Sequence, residues 1–351
     1  MTTMTHPPST DQMMIGGIDT HRDSHTAALL THDGRVLGVD QFPTTTAGYQ
    51  QLLEWLTGHG PLDRVGIEGT GSYGAGLAQV LQAAGIVLVE VDRPNRANRR
   101  RVGKSDPTDA IEAAWAVISG RATGTPKTRT GPVEALRYLH LTRRDAVATR
   151  ARCQTQIRST LVTAPDPIRQ QLASLSPTAL IRVCATLTTD HDDQVSAAVA
   201  TRLRSLAREH QWLTTEITAL DHQILPLVRQ ANPQLLATHG VGPTTASQLM
   251  ITVGDNPDRI NTEAAFAMLT GVAPLPASSG NTHRHRLNRG GDRQANHALW
   301  RIAMTRLATD PRTQTYRNTY RTQGHTNPET IRQLKRYIAR ELFPILTRTT
   351  G

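Results

Sequence analysis

The strongest constraint on the fold lies in residues 15–91, where three strand-like runs precede the first helical one. Ile15–Ile18 and Thr26–Leu30 are short apolar runs, and Thr31-His32-Asp33-Gly34 supplies a turn into a third, Arg35–Phe42. Asp-Gly between apolar runs is a strong hairpin signal, because glycine takes the positive φ that a tight reversal needs. From Thr46 to Thr57 the positions Tyr49, Leu52, Leu53 and Leu56 follow helical spacing and stop near Gly58. Val65–Glu68 reads as a short buried strand, Tyr73–Ala84 as a helix closed by Gly85, and Ile86–Val91 as an apolar strand without alternation. A basic stretch and a helix starting at Asp106 follow.

Three antiparallel strands running into alternating helices and strands is the layout of a ribonuclease H-like α/β fold. The rest of the chain reads as all-α. Residues 133–162 place Leu136, Leu139, Val147, Ile157 and Leu161 among Arg137, Arg143, Arg144, Arg150, Arg152 and Arg158. Leu203, Leu206, His210, Leu213, Ile217, Leu220, Ile224 and Leu227 then alternate spacings of three and four, a heptad seam with one polar member. That seam predicts a coiled coil between protomers, with an ordinary bundle helix as the alternative, and Pro226 is expected to end or kink it. Leu235–Leu249, with His239-Gly240-Val241-Gly242-Pro243 at its centre, resembles a helix-hairpin-helix element, in which a glycine turn brings backbone amides to phosphate. The expected organisation is a disordered leader over 1–13, an α/β domain over 14–125, a helical linker and coiled coil over 126–230, and a mostly helical C-terminal domain over 231–351.

Charge narrows the class of partner. Of 351 residues, 39 are Lys or Arg against 29 acids, a formal net charge of +10, and arginine greatly outnumbers lysine. The guanidinium fork suits bidentate phosphate contact, so the balance points to nucleic acid. Cys153 and Cys184 lack any zinc-ligand spacing, and two cysteines make no disulfide framework. No apolar run approaches the roughly 18 residues of a membrane span, and Met1–Met14 has no signal-peptide core, so a cytoplasmic location is expected.

Four acids stand out against that basic background. Asp19 ends Ile15-Gly16-Gly17-Ile18-Asp19, Glu68 ends Arg64-Val65-Gly66-Ile67-Glu68, and Asp106 and Asp109 sit in Lys104-Ser105-Asp106-Pro107-Thr108-Asp109. Each has a plain structural reading: Asp106 as N-cap with Pro107 at the first position, Asp109 favourable to the helix dipole, Asp19 and Glu68 as turn residues. Together, in a fold that converges the first strand, the fourth strand and the following helix at one sheet edge, they predict a carboxylate site for Mg2+ that acts on a phosphodiester. Arg93, Arg96, Arg99, Arg100, Arg101 and Lys104 precede that helix and are expected to neutralise phosphates beside it.

Ile18-Asp19-Thr20-His21-Arg22, Ile67-Glu68-Gly69-Thr70-Gly71-Ser72-Tyr73 and Lys104-Ser105-Asp106-Pro107-Thr108-Asp109-Ala110 together resemble the DEDD transposases of the IS one-ten insertion-sequence family. The N-terminal domain of that family is similar to the Holliday-junction resolvase RuvC. Gly271-Val272-Ala273-Pro274, Ser278-Ser279-Gly280 and Leu287-Asn288-Arg289-Gly290-Gly291-Asp292-Arg293 resemble its second transposase domain, with Asn288-Arg289 where relatives often have a serine and a lysine. The resemblance implies a DNA transposase of the bacterial cytoplasm, with Asp19, Glu68, Asp106 and Asp109 as ligands of two Mg2+ ions. It implies Ser279 as a nucleophile forming a transient phosphoserine link, Ser278 being the neighbouring alternative. His283, Arg284, His285, Arg286, Arg289 and Arg293 would bind phosphate around it. It further implies a homo-oligomer with sites shared between protomers, and a structured noncoding guide RNA that pairs with donor and target DNA. Two readings from other classes stand beside it: a structure-specific nuclease in which metal-activated water attacks, and a non-catalytic nucleic-acid-binding protein.

Overall fold

The computed structural model describes residues 13–91, 105–188, 193–278 and 285–348. They fall into two compact units, Met1–Gly131 with Gly254–Asn261, and Pro132–Val253 with Thr262–Gly351.

The first unit is built on a five-stranded sheet in the order β3-β2-β1-β4-β5. Strands β1 (Met14–Thr20), β2 (Ser24–Thr31) and β3 (Val36–Pro43) are antiparallel neighbours, while β4 (Leu62–Glu68) and β5 (Leu88–Val91) run parallel to β1. The expected α/β layout with three leading antiparallel strands is therefore present. Strand side chains alternate between faces, and each face has its own core. Ile18, Ala27, Leu29, Val65 and Ile67 pack with Leu52 and Leu56 of α1 (Thr46–Gly58) and Leu77 and Leu81 of α2 (Ala75–Ala83). Ile15, Ala28, Leu30, Val89 and Val91 meet the small side chains Ala110, Ala113 and Ala114 of α3 (Asp106–Ile118) on the other face.

That second face explains Gly17 of β1 and Gly66 of β4. A Cβ placed on Gly17 would lie 2.2 Å from the Ala110 carbonyl oxygen and 2.4 Å from the Ala114 nitrogen, and one on Gly66 would lie 2.7 Å from the Ala113 oxygen. The helix backbone therefore rests directly on the strands, which its alanines also permit. Gly17→Ala should push α3 away and cost about 1–3 kcal/mol, read as a lowered midpoint in a urea melt. A wild-type midpoint in that variant would contradict the close approach.

Among its described residues the second unit is helical apart from the short pair β6 (Pro274–Pro276) and β7 (His285–Leu287). Helices α4 (Pro132–Val162) and α7 (Gln194–Ala231) are its long members, with α5 (Asp166–Leu172) and α6 (Pro177–Ala185) between them. Arg143 pairs with Asp221, Gln154 reaches His210 and Arg202 reaches Thr160, so α4 and α7 run antiparallel. The heptad seam is buried by this pairing and by α6: Leu213 and Ile217 pack with Ala146 and Cys153, and Leu203 and Leu206 with Ile157, Leu161 and Leu180. The seam expected to join two protomers is thus filled from within the chain, the bundle-helix alternative. The helix also continues through Pro226 to Ala231, with burial passing to Val228 rather than Leu227. His210 is kept neutral: burial and Arg150 lower its pKa, and the Gln154 amide donates to its Nε2 at 2.9 Å.

Both cysteines are free and buried, and burial pushes the Cys184 thiol up to about 11. Helices α8 (Pro233–Ala237) and α9 (Pro243–Val253) flank Gly240, whose φ of 80° makes the turn between them. Helices α10 (Glu263–Leu269), α11 (Arg293–Thr309), α12 (Pro311–Thr322) and α13 (Asn327–Thr347) complete the unit.

Candidate functional site

Parity along the strands decides which acids meet. Asp19 shares a face of β1 with Ile15 and Gly17, the face on which α3 lies. Glu68 follows Ile67 of the opposite core and so lies on the same face as Gly66, one residue beyond the last paired positions Ile18 and Ile67. The Thr20 hydroxyl donates to the Glu68 carbonyl at 3.0 Å and ties the two strand ends together. α3 packs on this face, and its first turn carries Asp106 and Asp109, three residues apart on one side of the helix. Asp19 is 5% exposed and Asp109 2%, whereas the side chain of Asp106 is 41% exposed. Asp19 and Asp109 are thus buried, and Asp106 is open to solvent.

One sequence expectation changes, and one residue is added. The N-cap of α3 is Ser105, whose hydroxyl accepts from the Thr108 amide at 3.4 Å. Asp106 is thus the first helical residue and Pro107 the second, so capping does not account for the Asp106 carboxylate. The added residue is His21, which carries no expected role in the sequence. Its Nδ1 lies 3.5 Å from Asp19 Oδ2 and its Nε2 4.0 Å from Asp106 Oδ1. Asp19, His21 and Asp106 offer ligand atoms that all fall within 4.8 Å of one another, a grouping that among the described residues does not include Glu68 or Asp109. Its signal was its place in Asp19-Thr20-His21, two residues past a strand-end acid. Nearby, His25 is fully buried, stacks on Tyr49 at 5.6 Å, and has its pKa lowered by burial and by His21.

In the second unit, Ser279, Gly280, His283 and Arg284 lie outside the described residues, as do Arg93, Arg96, Arg99, Arg100, Arg101 and Lys104 in the first. Ser278 is exposed at the end of the segment that follows β6. The remaining basic residues of this region converge. Arg286, with His285, lines a cleft of about 390 Å³, and Arg289 and Arg293 line an adjoining one of about 250 Å³. Asn288 organises the loop between β7 and α11, accepting from the Gly290 amide at 2.9 Å and donating to the Met268 carbonyl at 2.9 Å. Asp292 caps α11 through the amides of Gln294 and Ala295 and also accepts from the Thr252 hydroxyl at 2.8 Å. α13 adds Arg332, Lys335 and Arg336 to the clefts. Lys335 donates to Asn296 at 2.8 Å, and burial, with Arg332 nearby, lowers its pKa. The spacing of these three residues, i, i+3 and i+4, marks them as one helix face, but nothing in the sequence ties that face to residues 285–293.

Two family models match the chain. A DEDD transposase model of the IS110 type covers residues 16–164, and a model described as the transposase IS116/IS110/IS902 family covers residues 232–318. The chain belongs to the IS110 family of transposases. An uncharacterized 43.6 kDa protein of insertion element IS110 from Streptomyces coelicolor is 33% identical over 155 residues, which is 44% of this chain and 37% of that protein. The putative transposase of the IS117 mini-circle from the same organism is 24% identical, across 76% of this chain and 78% of its own length.

IS110-family transposases are enzymes that cut and rejoin DNA, and the DEDD half of the family implies a divalent metal. The donor set of this chain fits one. Carboxylate oxygens predominate, as hard divalent cations require, and the acids lie where strand ends and a helix start hold them in place. Among the described residues no helix is long and apolar enough to cross a membrane.

Proposed function

We propose that this transposase recombines the DNA of its insertion element with two sets of groups, a magnesium site made by Asp19, Glu68, Asp106 and Asp109, and the nucleophile Ser279. The observation that carries the metal site is the placement of Asp19 and Glu68 on the sheet face that receives the first turn of α3. Magnesium held there would offset charge on a phosphodiester and on its departing oxygen. Asp19 and Asp109, being buried, fix the floor of the site, while Asp106 and His21 at the rim meet the substrate side.

For Ser279 the support is the family's serine in the Ser278-Ser279-Gly280 segment and the basic clefts next to it in sequence. Its oxygen bonds to phosphorus as one strand oxygen leaves with a proton, giving a phosphoserine ester. A strand hydroxyl then attacks that phosphorus, the serine oxygen departs and recovers a proton, and a new phosphodiester forms. One ester replaces another at each step, so no external energy source is needed. Arg286, Arg289 and Arg293, with Lys335, supply the positive charge that a pentavalent phosphorus transition state requires.

Site choice in this reading comes from a structured noncoding RNA that pairs with donor and target DNA. Arginine-rich surfaces grip backbones and carry little sequence information themselves, and the family's expected reader is base pairing. The purified protein alone should bind DNA with little sequence preference and a steep salt dependence. Adding RNA transcribed from the DNA flanking the reading frame should confer site choice, and altering its pairing segments should redirect it. Accurate recombination by RNase-treated protein would refute the guide and leave a transposase that reads DNA directly.

A further inference from the structure

Within the second unit, α4, α9 and α11 meet around a cleft of about 400 Å³, separate from the two beside β7. α4 lines it with His140, Arg143, Arg144, Val147 and Arg150, which recur three and four residues apart and share one helix face. α11 contributes His297 and Arg301, and α9 contributes Thr244, Thr245 and Gln248. No carboxylate is among the described residues that line it. Arg143 is held by Asp221 at 2.5 and 3.1 Å, and Arg144 lies 3.5 Å from Asp145. Arg150 and Arg301 form no ion pair among the described residues, so two uncompensated guanidinium groups face one concavity.

Two further features of the lining address an anion. Thr244 and Thr245 are the second and third residues of the eleven-residue helix α9, where backbone amides have no intrahelical acceptor and the dipole favours negative charge. Independently, His140 is only 7% exposed, and its Nδ1 makes no hydrogen bond among the described residues. Burial, with Arg143 and Arg144 beside it, lowers the pKa of that imidazole, and a hydrogen bond with Gln248 acts the other way.

We infer that this cleft is a second nucleic-acid contact of the chain, one that takes a backbone phosphate against Arg150 and Arg301 and the first-turn amides of α9. The inference rests on the transposase reading only for the nature of the polymer. Arginine is the residue suited to such a phosphate, because its fork meets two oxygens at once. The contact is to the backbone and so positions the polymer without reading its sequence.

The test is a salt titration of binding, followed by fluorescence anisotropy on the full chain without magnesium, using a short duplex DNA and an RNA hairpin of arbitrary sequence. Arg150→Ala with Arg301→Ala should lower the slope of log affinity against log salt by about 1–2 for at least one probe. The probe affected identifies the polymer whose phosphate is held. Arg150→Lys with Arg301→Lys should keep most of the slope, which separates lost charge from a damaged fold. Unchanged slopes for both probes would overturn the proposal. So would an equal loss from Arg182→Ala with Arg229→Ala, two exposed arginines away from the cleft, because overall charge would then explain the effect. As binding is read without magnesium, failure of the metal site would leave this result unaffected, and the converse also holds.

Discussion

Asp106→Asn and Asp19→Asn are each expected to abolish magnesium-dependent strand cleavage and rejoining, by on the order of 10²–10³ or more, while the protein stays folded. The amide keeps the size and shape of the side chain and removes the charge that a hard cation needs. Asp106 is the cleaner of the two. Ser105 caps α3, and the Asp106 side chain is 41% exposed, so its carboxylate has no packing role to lose. Asp19 is 5% exposed at the floor of the site, and its amide variant must be shown to melt normally before its loss of activity is read. Activity in Asp106→Asn within a few-fold of wild type, in an assay that still requires magnesium, would remove Asp106 from the metal site.

Ser279→Ala is expected to eliminate strand exchange, on the order of 10⁴-fold or more, because no other group then completes the ester transfer. DNA binding should change little, since one hydroxyl adds little beside many arginine–phosphate contacts. Ser278→Ala should be much milder. Parallel strand-exchange and salt-titrated binding assays check both statements, and full activity in Ser279→Ala would eliminate that serine as the nucleophile.

Much of the first unit could be read from the sequence because its signals are local. Asp33-Gly34 fixes the hairpin between β2 and β3, and the buried runs of β1, β4 and β5 are too short to be helices. Asp19 and Glu68 were visible as strand-end acids, and alternation then dictates that both face α3. The cap of α3 is ambiguous by one position in the sequence because Ser105 and Asp106 are both good capping residues, and only the backbone distinguishes them.

The seam on α7 shows a different limit. A heptad states that one face is buried but not by whom, and the partner α4 is made of residues about 60 positions away whose own periodicity is diluted by arginines. His21 and Lys335 carry no signal in the sequence for the same physical reason: each matters through what stands across from it in space. Lys335 reaches Asn296, 39 residues earlier, and His21 reaches Asp106, 85 residues later by their numbering. The arginines of α4 were visible as a basic stripe, yet the cleft they share with α9 and α11 exists only once the helices are packed.

The proposal stands or falls on whether strand transfer passes through a covalent serine intermediate and requires the carboxylates of the first unit. Its most direct test traps wild-type protein on labelled element-end DNA with magnesium, isolates any adduct that survives denaturation, and sequences the DNA-linked peptide. The account predicts an adduct that needs magnesium, maps to Ser279, and is lost in both Ser279→Ala and Asp106→Asn. Magnesium-dependent cleavage with no adduct, or an adduct mapped to another residue, would contradict it, and the first of these would indicate attack by water.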